Sequence, residues 1–468
     1  MSNTKPARGM RDFLPADIRK RNYVIGIIKE VYEKYGFEPL ETPTIENLST
    51  LTNKYGEEGD QLMFKILKRG EKLQKKLGTG EIKNENELTD LALRYDLTVP
   101  LARVVANYRH ELPRFFKRYQ IQPVWRADRP ARGRYREFYQ CDVDAIGSKS
   151  MLVEAELCSA VSEILTKLGF KDFTIRINNR QILDGMMEVA NIPKEKRPQA
   201  LVIIDKLDKI GLNGIRKELL ENKFAEASVR AVTHQIENQV NLLNSATNNY
   251  EYNLQILSET STLADEFAGK HENLSSYWNA KKELSEIISY TKHSQVRNHI
   301  KVDESLARGL SYYTGAIFEI NVPDLAGSLG GGGRYDGLIG MFGKEEIPAV
   351  GFSLGLERIL LIMEERGMFP EDLTNNAADV LVTVWNEETA GESLQLANEL
   401  RKKDLRVMVY PQTDKLGKQF KYADQIDVKY VCVLGDNELA ENTVQVKNMK
   451  TGEQENVARD KVAEKVKL

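Results

Sequence analysis

RFFKRYQIQPVWRADRPARGRYREFYQCDVDA, residues 114–145, decides how the fold is read. Two β-rich runs flank a loop of arginine, glycine and proline, a pattern that predicts an antiparallel hairpin. Charge is concentrated here: ten Lys/Arg stand between Arg103 and Arg136 against two acids, Glu111 and Asp128. Five of the arginines (Arg126, Arg129, Arg132, Arg134, Arg136) crowd into the loop. One reading is a solvated basic face. The other is a phosphate site, because a guanidinium donates bidentately and keeps its charge. Phe115, Phe116, Tyr119, Trp125, Tyr135, Phe138 and Tyr139 interleave with the arginines. A nucleotide presents both a phosphate chain and a base to stack, so both features fit one ligand. On the second run Gln140, Asp142 and Asp144 alternate by two and share one strand face. They either line a pocket there or balance the arginines across the hairpin.

Around this segment lies a chain of 468 residues with 66 Lys+Arg, 69 Asp+Glu and a net charge of −3, which excludes a uniformly basic nucleic-acid binder. Hydrophobic residues at 41% and charged residues at 29% describe a globular chain with a core rather than a disordered one. The length suggests about three domains. Apolar runs such as Ala200–Ile204 fall far short of the ~20 residues that span a bilayer. The N-terminus MSNTKPARGMRDFLP has no apolar segment of the secretory kind, and the three cysteines form no CxxC. The expectation is a soluble, cytoplasmic protein with no disulfide, zinc or other all-protein metal site and no membrane partner.

Asp17–Tyr35 carries apolar residues at helical spacing and stops at Gly36. The following FEPLETPTIENL is extended, with Pro39 and Pro43 opposing helix. From 191 to 300 helical periodicity dominates, as in ALVIIDKLDKIG and NAKKELSEIISYTK. Strand-and-glycine texture returns over 301–366 and ends in a helix from Leu356; 367–378 has linker composition. Residues 379–468 alternate as βαβαβ, a small independent α/β domain. The predicted organisation is therefore a core in two parts (1–190 and 301–366), a helical insertion (191–300), a linker and a C-terminal domain.

Three further segments carry candidate chemistry. Gly330–Gly333 followed by Arg334 fails the P-loop pattern, because Gly343-Lys344 is succeeded by Glu345. Read alone it is a flexible turn. LARGLSYYTGAIFEI, residues 306–320, sets Arg308 before the pair Tyr312 and Tyr313. It reads either as an amphipathic strand whose arginine has a carboxylate partner or as part of a site. In GFSLGLERIL, residues 351–360, Arg358 stands in the first turn of a helix, where the dipole does nothing for a cation. It has either an ordinary ion pair or an anionic ligand.

Taken together and in this order, these segments resemble the class II aminoacyl-tRNA synthetases, and most closely the histidyl-tRNA synthetase family. The resemblance runs from RGMRDFLP (Arg8–Pro15) to the C-terminal domain. GFEPLETPTIE with Pro43 is similar to motif 1, Arg126–Tyr139 to motif 2 and GFSLGLERIL to motif 3; LARGLSYYTG and GGGGRYDGLIG are similar to the histidine-specific signatures.

The resemblance implies an α/β fold: a class II antiparallel catalytic sheet flanked by helices, a helical insertion, and a C-terminal anticodon-binding domain. It implies that ATP and L-histidine give histidyl-adenylate and pyrophosphate, and that the histidyl group then passes to the 3′ end of histidine tRNA. Arg126 would hold the α-phosphate, Arg358 the γ-phosphate and Arg134 the outer phosphates, with Phe138 stacked on adenine. Arg308 would approach the α-phosphate and the histidine carboxylate. Asp96, Thr98 and Gln140 would receive the histidine ammonium, Asp144 and Tyr313 the imidazole, with Tyr312 in support. Mg²⁺ would accompany ATP, and motif 1 would form a homodimer. Ser311 stands where the family usually has an acid, and Asp96 is shorter than the Glu of many bacterial members. LRYDLTVP and FYQCDVD look like the eukaryotic-type branch. For tRNA, the loop Arg129–Gly133 is the candidate at the acceptor end. The C-terminal domain, with 14 Lys/Arg and 16 acids, would rely on a local face such as Lys415, Lys418 and Lys421. The rival readings are a histidine-binding regulatory paralogue, a sensor of uncharged tRNA, and a sister enzyme for Pro, Thr or Gly.

Overall fold

The structure, a computed structural model, describes residues 4–78, 80, 82, 84–246, 248–258, 275–307, 312–343, 345–371, 373 and 378–467. The chain divides into two compact units: one of residues 21–368 with the chain up to Phe13, the other of residues 369–468 with Leu14–Lys20. Among the described residues no helix is long and apolar enough to cross a membrane.

The strands of the first unit are β1 (Glu38–Pro39), β2 (Ile45–Asn47), β3 (Lys65–Leu67), β4 (Thr89–Leu93), β5 (Phe116–Trp125), β6 (Glu137–Ile146), β7 (Thr174–Asn179), β8 (Ile300–Val302), β9 (Ala316–Asn321), β10 (Gly330–Arg334) and β11 (Ala349–Gly355). Among the described residues eight of them form one sheet in the order β1-β5-β6-β11-β10-β9-β7-β8. Its inner six strands are antiparallel and a parallel partner closes each edge. The hairpin read from residues 114–145 is β5 and β6, in register from Phe116 opposite Ile146 to Trp125 opposite Glu137. The last six residues of β6 are all buried, as in a strand covered on both faces. Helix Pro15–Lys34 buries Val24, Ile28, Val31 and Tyr32, and the Tyr32 hydroxyl donates to the Cys141 carbonyl.

The glycine run is not a flexible turn. It is strand β10, paired on both sides. A Cβ at Gly332 would lie 2.0 Å from the Gly351 carbonyl oxygen, and one at Gly330 would lie 2.4 Å from that of Ser353. The three strands approach so closely that only glycine fits, a steric demand that turn propensity does not register.

The segment 191–300 is helical where described, with helices Arg197–Ile204, Leu207–Glu221, Glu226–Ser245, Asn249–Ser258 and Ser275–Thr291. It shares an apolar cluster with the rest of the unit: Ile204, Ile215 and Val232 pack with Met186, Leu306 and Ile317. A buried polar knot adds to this. Asp303 accepts from Arg176 Nε at 2.6 Å, Gln239 Nε2 at 2.9 Å and Ser305 Oγ at 2.6 Å.

In the second unit, β12 (Val380–Val382), β13 (Val407–Val409), β14 (Tyr430–Val433), β15 (Thr443–Asn448) and β16 (Gln454–Ala458) form a sheet in the order β13-β12-β14-β15-β16. The first three strands are parallel, as the βαβαβ reading expects. β15 and β16 add an antiparallel pair, a β-meander edge the alternating pattern did not announce.

Candidate active site

The floor of the site is the β5–β6–β11 portion of the sheet, where the register sets three rows of facing residues. Arg118, Asp144 and Gly351 form one row, Gln120, Asp142 and Ser353 the next, and Gln122, Gln140 and Gly355 the third. Cross-strand partners at this spacing interact directly. Arg118 forms an ion pair with Asp144 at 2.9 Å and donates to Gln120 Oε1 at 3.2 Å and to the Leu97 carbonyl at 3.3 Å. Tyr335 donates to the other Asp144 oxygen. Gly351 leaves the room this carboxylate needs: a Cβ there would sit 1.9 Å from Asp144 Oδ1.

Asp96 lies between β4 and helix Thr98–Asn107. One oxygen accepts from Tyr55 Oη at 2.8 Å and from the Val99 amide at 3.1 Å, and the other from Tyr312 Oη at 3.2 Å. Burial raises the Asp96 pKa, and these hydrogen bonds oppose it. Burial also raises Asp142 and Asp144, with Arg118 opposing. Tyr55, Tyr312 and Tyr335 are pushed up by burial as well, so all three phenols stay protonated donors at neutral pH. Gln140 Nε2 donates to Ser353 Oγ at 3.1 Å, whereas Gln140 Oε1 and Asp142 Oδ1 are buried acceptors with no partner among the described residues. Unpaired buried acceptors are costly, so this end of the site is built to receive a donor-rich or cationic group.

Arg126 directs Nε at the Tyr95 carbonyl at 3.1 Å, and its guanidinium lies 4.3 Å from the Tyr95 ring and 5.2 Å from the Phe138 ring. Arg358 donates to the Ser328 carbonyl at 2.6 Å. Gly133 and Gly327, both at positive φ, pass close to its side chain: a Cβ on either would come within 3.3 Å of it. Burial pushes the neighbouring Glu357 up to about 7, opposed by backbone hydrogen bonds and by Arg21. Its Oε2 accepts from the Tyr139 amide at 2.9 Å.

One cavity of about 1130 Å³ brings together Asp96, Thr98, Arg126, Arg134, Phe138, Gln140, Tyr312, Tyr313 and Arg358. Asp144 is not on its lining; it lies beneath, held by Arg118 and Tyr335. Arg308 and Ser311 lie outside the described residues. Much of the basic excess read in the sequence is paired. Arg103 bonds Glu46, Lys117 bonds Glu156, Arg132 bonds Glu365, and Arg134 bonds Asp128 at 2.6 Å on the surface. Arg118, Tyr335, Tyr55 and Glu357 escaped the sequence reading. Arg118 left a trace as a charge two residues from Gln120 on one face of a predicted strand, and Tyr335 and Glu357 lie inside GGGGRYDGLIG and GFSLGLERIL, where no role was assigned to them. Among the described residues no group of three His, Cys, Asp or Glu could hold a metal ion. The cavity thus gathers buried acceptors and cationic, aromatic-backed donors on one lining, with Arg126 near enough to Asp96 to oppose the rise of its pKa, an arrangement that suits an ammonium-bearing molecule beside a polyanion with a planar base.

A family model described as Histidyl-tRNA synthetase matches residues 9–359, and one described as Anticodon binding domain matches residues 379–468. The chain is 43% identical to a histidine–tRNA ligase of Porphyromonas gingivalis over 97% of this chain and 96% of that one. It is 40% identical to a histidine–tRNA ligase of Christiangramia forsetii over 96% of both. The crystal structure of histidyl-tRNA synthetase from Nostoc sp. PCC 7120 superposes with a TM-score of 0.79 at 29% identity, over 100% of this chain and 99% of that one. These relatives are bacterial, which overturns the eukaryotic-type reading of LRYDLTVP and FYQCDVD. Segments of eight and seven residues are too short to place a chain of 468 in a lineage.

Proposed function

The chain belongs to the histidyl-tRNA synthetase family, and from that premise we propose that it activates L-histidine with ATP and transfers the histidyl group to its cognate tRNA. The observation that carries this reading is one cavity lined by Asp96 and Gln140 together with Arg126 and Arg358. In the first step a histidine carboxylate oxygen bonds to the α-phosphorus of ATP while the bond from that phosphorus to the bridging oxygen breaks. Pyrophosphate leaves with the electron pair, and no proton has to move. Negative charge grows on the α-phosphoryl oxygens, and Arg126, fixed by Tyr95 and Phe138, is the cation positioned to meet it.

Arg358 takes the outer phosphates in this scheme, Arg134 joins it by leaving Asp128, and Phe138 offers its ring to adenine. Asp96, Thr98 and Gln140 receive the ammonium and Tyr313, with Tyr312 in support, the imidazole; Asp144, held by Arg118 and Tyr335, lies beneath the lining and acts on the ring through the floor of the pocket. Arg308, the remaining phosphate and carboxylate donor, belongs to the proposal by resemblance alone. In the transfer step the terminal ribose hydroxyl of the tRNA attacks the adenylate carbonyl, AMP leaves with the electrons of the acyl C–O bond, and the hydroxyl proton passes to the substrate's own phosphate oxygen, so that proximity does most of the work. Mg²⁺ would enter with ATP and neutralise charge on its phosphates, and no step here runs through it. Motif 1 makes the protein a homodimer, and its place is the cytoplasm.

The test is ATP–pyrophosphate exchange by the purified protein with each standard amino acid in turn, without tRNA. Exchange with histidine alone is the expected result; exchange with none, from folded protein, would favour the sensor or regulatory reading.

A further inference from the structure

Three tryptophans occur in the chain, and Trp385 differs from the other two. Trp125 has Arg94 5.8 Å from its ring and Trp278 stands edge-on to Tyr277. Trp385 is 46% exposed, and its indole makes no hydrogen bond or ring contact among the described residues.

An exposed indole would ordinarily sit on a loose loop. This one is held on both sides. Gln419, 0% exposed, accepts from the Val384 amide at 2.9 Å and donates to the Val384 carbonyl at 2.7 Å, clamping the residue before the tryptophan by both backbone groups. The same amide donates to the Asp414 carbonyl at 2.6 Å. On the other side the Thr389 amide donates to Asn386 Oδ1 at 2.8 Å, closing a tight turn. One step earlier Thr383 is tied to the Cys432 carbonyl of β14 at 2.9 Å. A buried amide that fixes the backbone under an exposed aromatic ring is a preorganised surface rather than a packing accident.

The ring's position is also specific. β12 lies between β13 and β14, and the chain leaves it towards β13 and then crosses to β14 on the far side. Ligands of open α/β sheets bind where the connections diverge in this way, at the carboxyl ends of the strands. Trp385 follows β12 at that point, and Gly435 follows β14 beside it. A Cβ on Gly435 would lie 2.8 Å from Glu438 Oε2 and 3.5 Å from the indole, so Gly435 and the Glu438 carboxylate border the ring on that flank. Exposed Lys415 and Lys418 are close by on the helix that carries Gln419. Exposed Glu387 and Glu388 follow the ring on its own loop, so contact there falls on a base face and not on a phosphate.

We propose that Trp385 is a preformed stacking platform for one unstacked base of the tRNA anticodon loop. The proposal rests on the tRNA-charging reading above and adds the residue and the mode of contact. Stacking of a base on an aromatic side chain is independent of base identity and is worth about a ten- to hundredfold in binding when the ring is removed.

The full-length protein tests this. Trp385→Ala should lower kcat/KM for whole histidine tRNA by about ten- to a hundredfold, and Trp385→Phe should recover most of the loss. Pyrophosphate exchange with histidine, and charging of a minihelix that holds only the acceptor stem, should stay at the wild-type rate. Addition of an anticodon stem-loop RNA should quench the fluorescence of the wild type and not that of the Ala variant. An equal loss on tRNA and minihelix, or no loss on either, would overturn the proposal. So would a fall in sedimentation coefficient of the Ala variant, which would place the ring between two copies of this chain. If the wild type itself gives no histidine exchange, the enzyme reading fails, while the stem-loop titration still decides on Trp385.

Discussion

Arg118 and Asp144 face each other across the β5–β6 ladder, 2.9 Å apart, in an ion pair from which solvent is excluded. The guanidinium also reaches the Leu97 carbonyl at 3.3 Å, between Asp96 and Thr98. One side chain therefore ties the strand that carries Asp144 to the segment that carries Asp96 and Thr98. Two buried acids, Asp142 and Asp144, share this one cation, which leaves the pocket floor short of positive charge.

Replacing Arg118 should thus act on histidine and not on ATP. Arg118→Met leaves two buried carboxylates without their cation, and breaking a buried pair in this way costs about 3–5 kcal/mol of stability. Arg118→Lys keeps the charge and loses the fork. It should fold, raise KM for histidine by roughly tenfold, and leave KM for ATP unchanged. Exchange kinetics with each substrate varied in turn separate the two. An equal rise in both constants would make Arg118 a general support of the sheet.

The glycines of β10 make a sharper structural prediction. Gly332→Ala sets a methyl group 2.0 Å from the Gly351 carbonyl oxygen and 2.7 Å from the Phe352 Cα, and backbone atoms in a paired strand cannot step aside. Gly337→Ala meets nothing within 4 Å. The first variant should lose cooperative unfolding of the catalytic unit, or its soluble expression; the second should melt within a degree or two of wild type, about the effect of an exposed substitution. Circular dichroism melts of the pair decide it.

That contrast also explains what was legible beforehand. The β5–β6 hairpin, the helix Leu356–Glu365 and the parallel part of the C-terminal sheet follow from local periodicity, which a single sequence carries. Arg126, Gln140 and Arg358 lay in segments marked by charge or by alternation, whereas Asp96 was named by resemblance to the family alone; the fold brings all four to one cavity. The glycine strand did not, since its reason is the carbonyl of a neighbour some twenty residues away. Nor did Tyr55, Tyr335 or Glu357: a tyrosine that bonds a buried carboxylate reads like any other core aromatic until the sheet register brings the two together.

Glu357 gives a pH dependence with a definite sign. Burial lifts its pKa from 4.5 to about 7, so the folded state holds the proton more tightly than the unfolded chain. Stability that this group contributes is present below pH 4.5 and is lost as pH rises from there towards 7. Glu357→Gln cannot ionise, and its amide oxygen still accepts from the Tyr139 amide. The variant should gain on the wild type across that window, by up to roughly 3 kcal/mol, and hold a constant difference above it. Melting temperatures of both proteins from pH 4.5 to 8 measure this; parallel curves would mean that Arg21, 3.5 Å away, keeps Glu357 charged throughout.

In the proposed reaction Arg126 meets the α-phosphate, and Arg126→Lys should fall mainly on kcat. A lysine keeps a charge near the α-phosphate but abandons the contacts to Tyr95 and Phe138 that hold the guanidinium still. The exchange rate should drop by about 10²–10³ with histidine binding little changed. Equilibrium binding of histidine to the variant, set beside its exchange rate, checks both halves.

Tyr55 acts on the substrate only through Asp96. Its hydroxyl donates to Asp96 Oδ1 at 2.8 Å and so opposes the rise in pKa that burial imposes on the carboxyl. Tyr55→Phe removes that donor and leaves the Val99 amide on the same oxygen and Tyr312 on the other. The Asp96 pKa should therefore climb further, and the carboxylate proposed to receive the ammonium should be neutralised at a higher pH than in the wild type. The expected result is a KM for histidine close to wild type at pH 8, with an acid limb that begins at higher pH in the variant. The imidazole of free histidine titrates in the same region, but identically for both enzymes, so the displacement between the two profiles belongs to the protein. A uniform rise in KM at every pH would instead mean that Tyr55 shapes the pocket without tuning the acid.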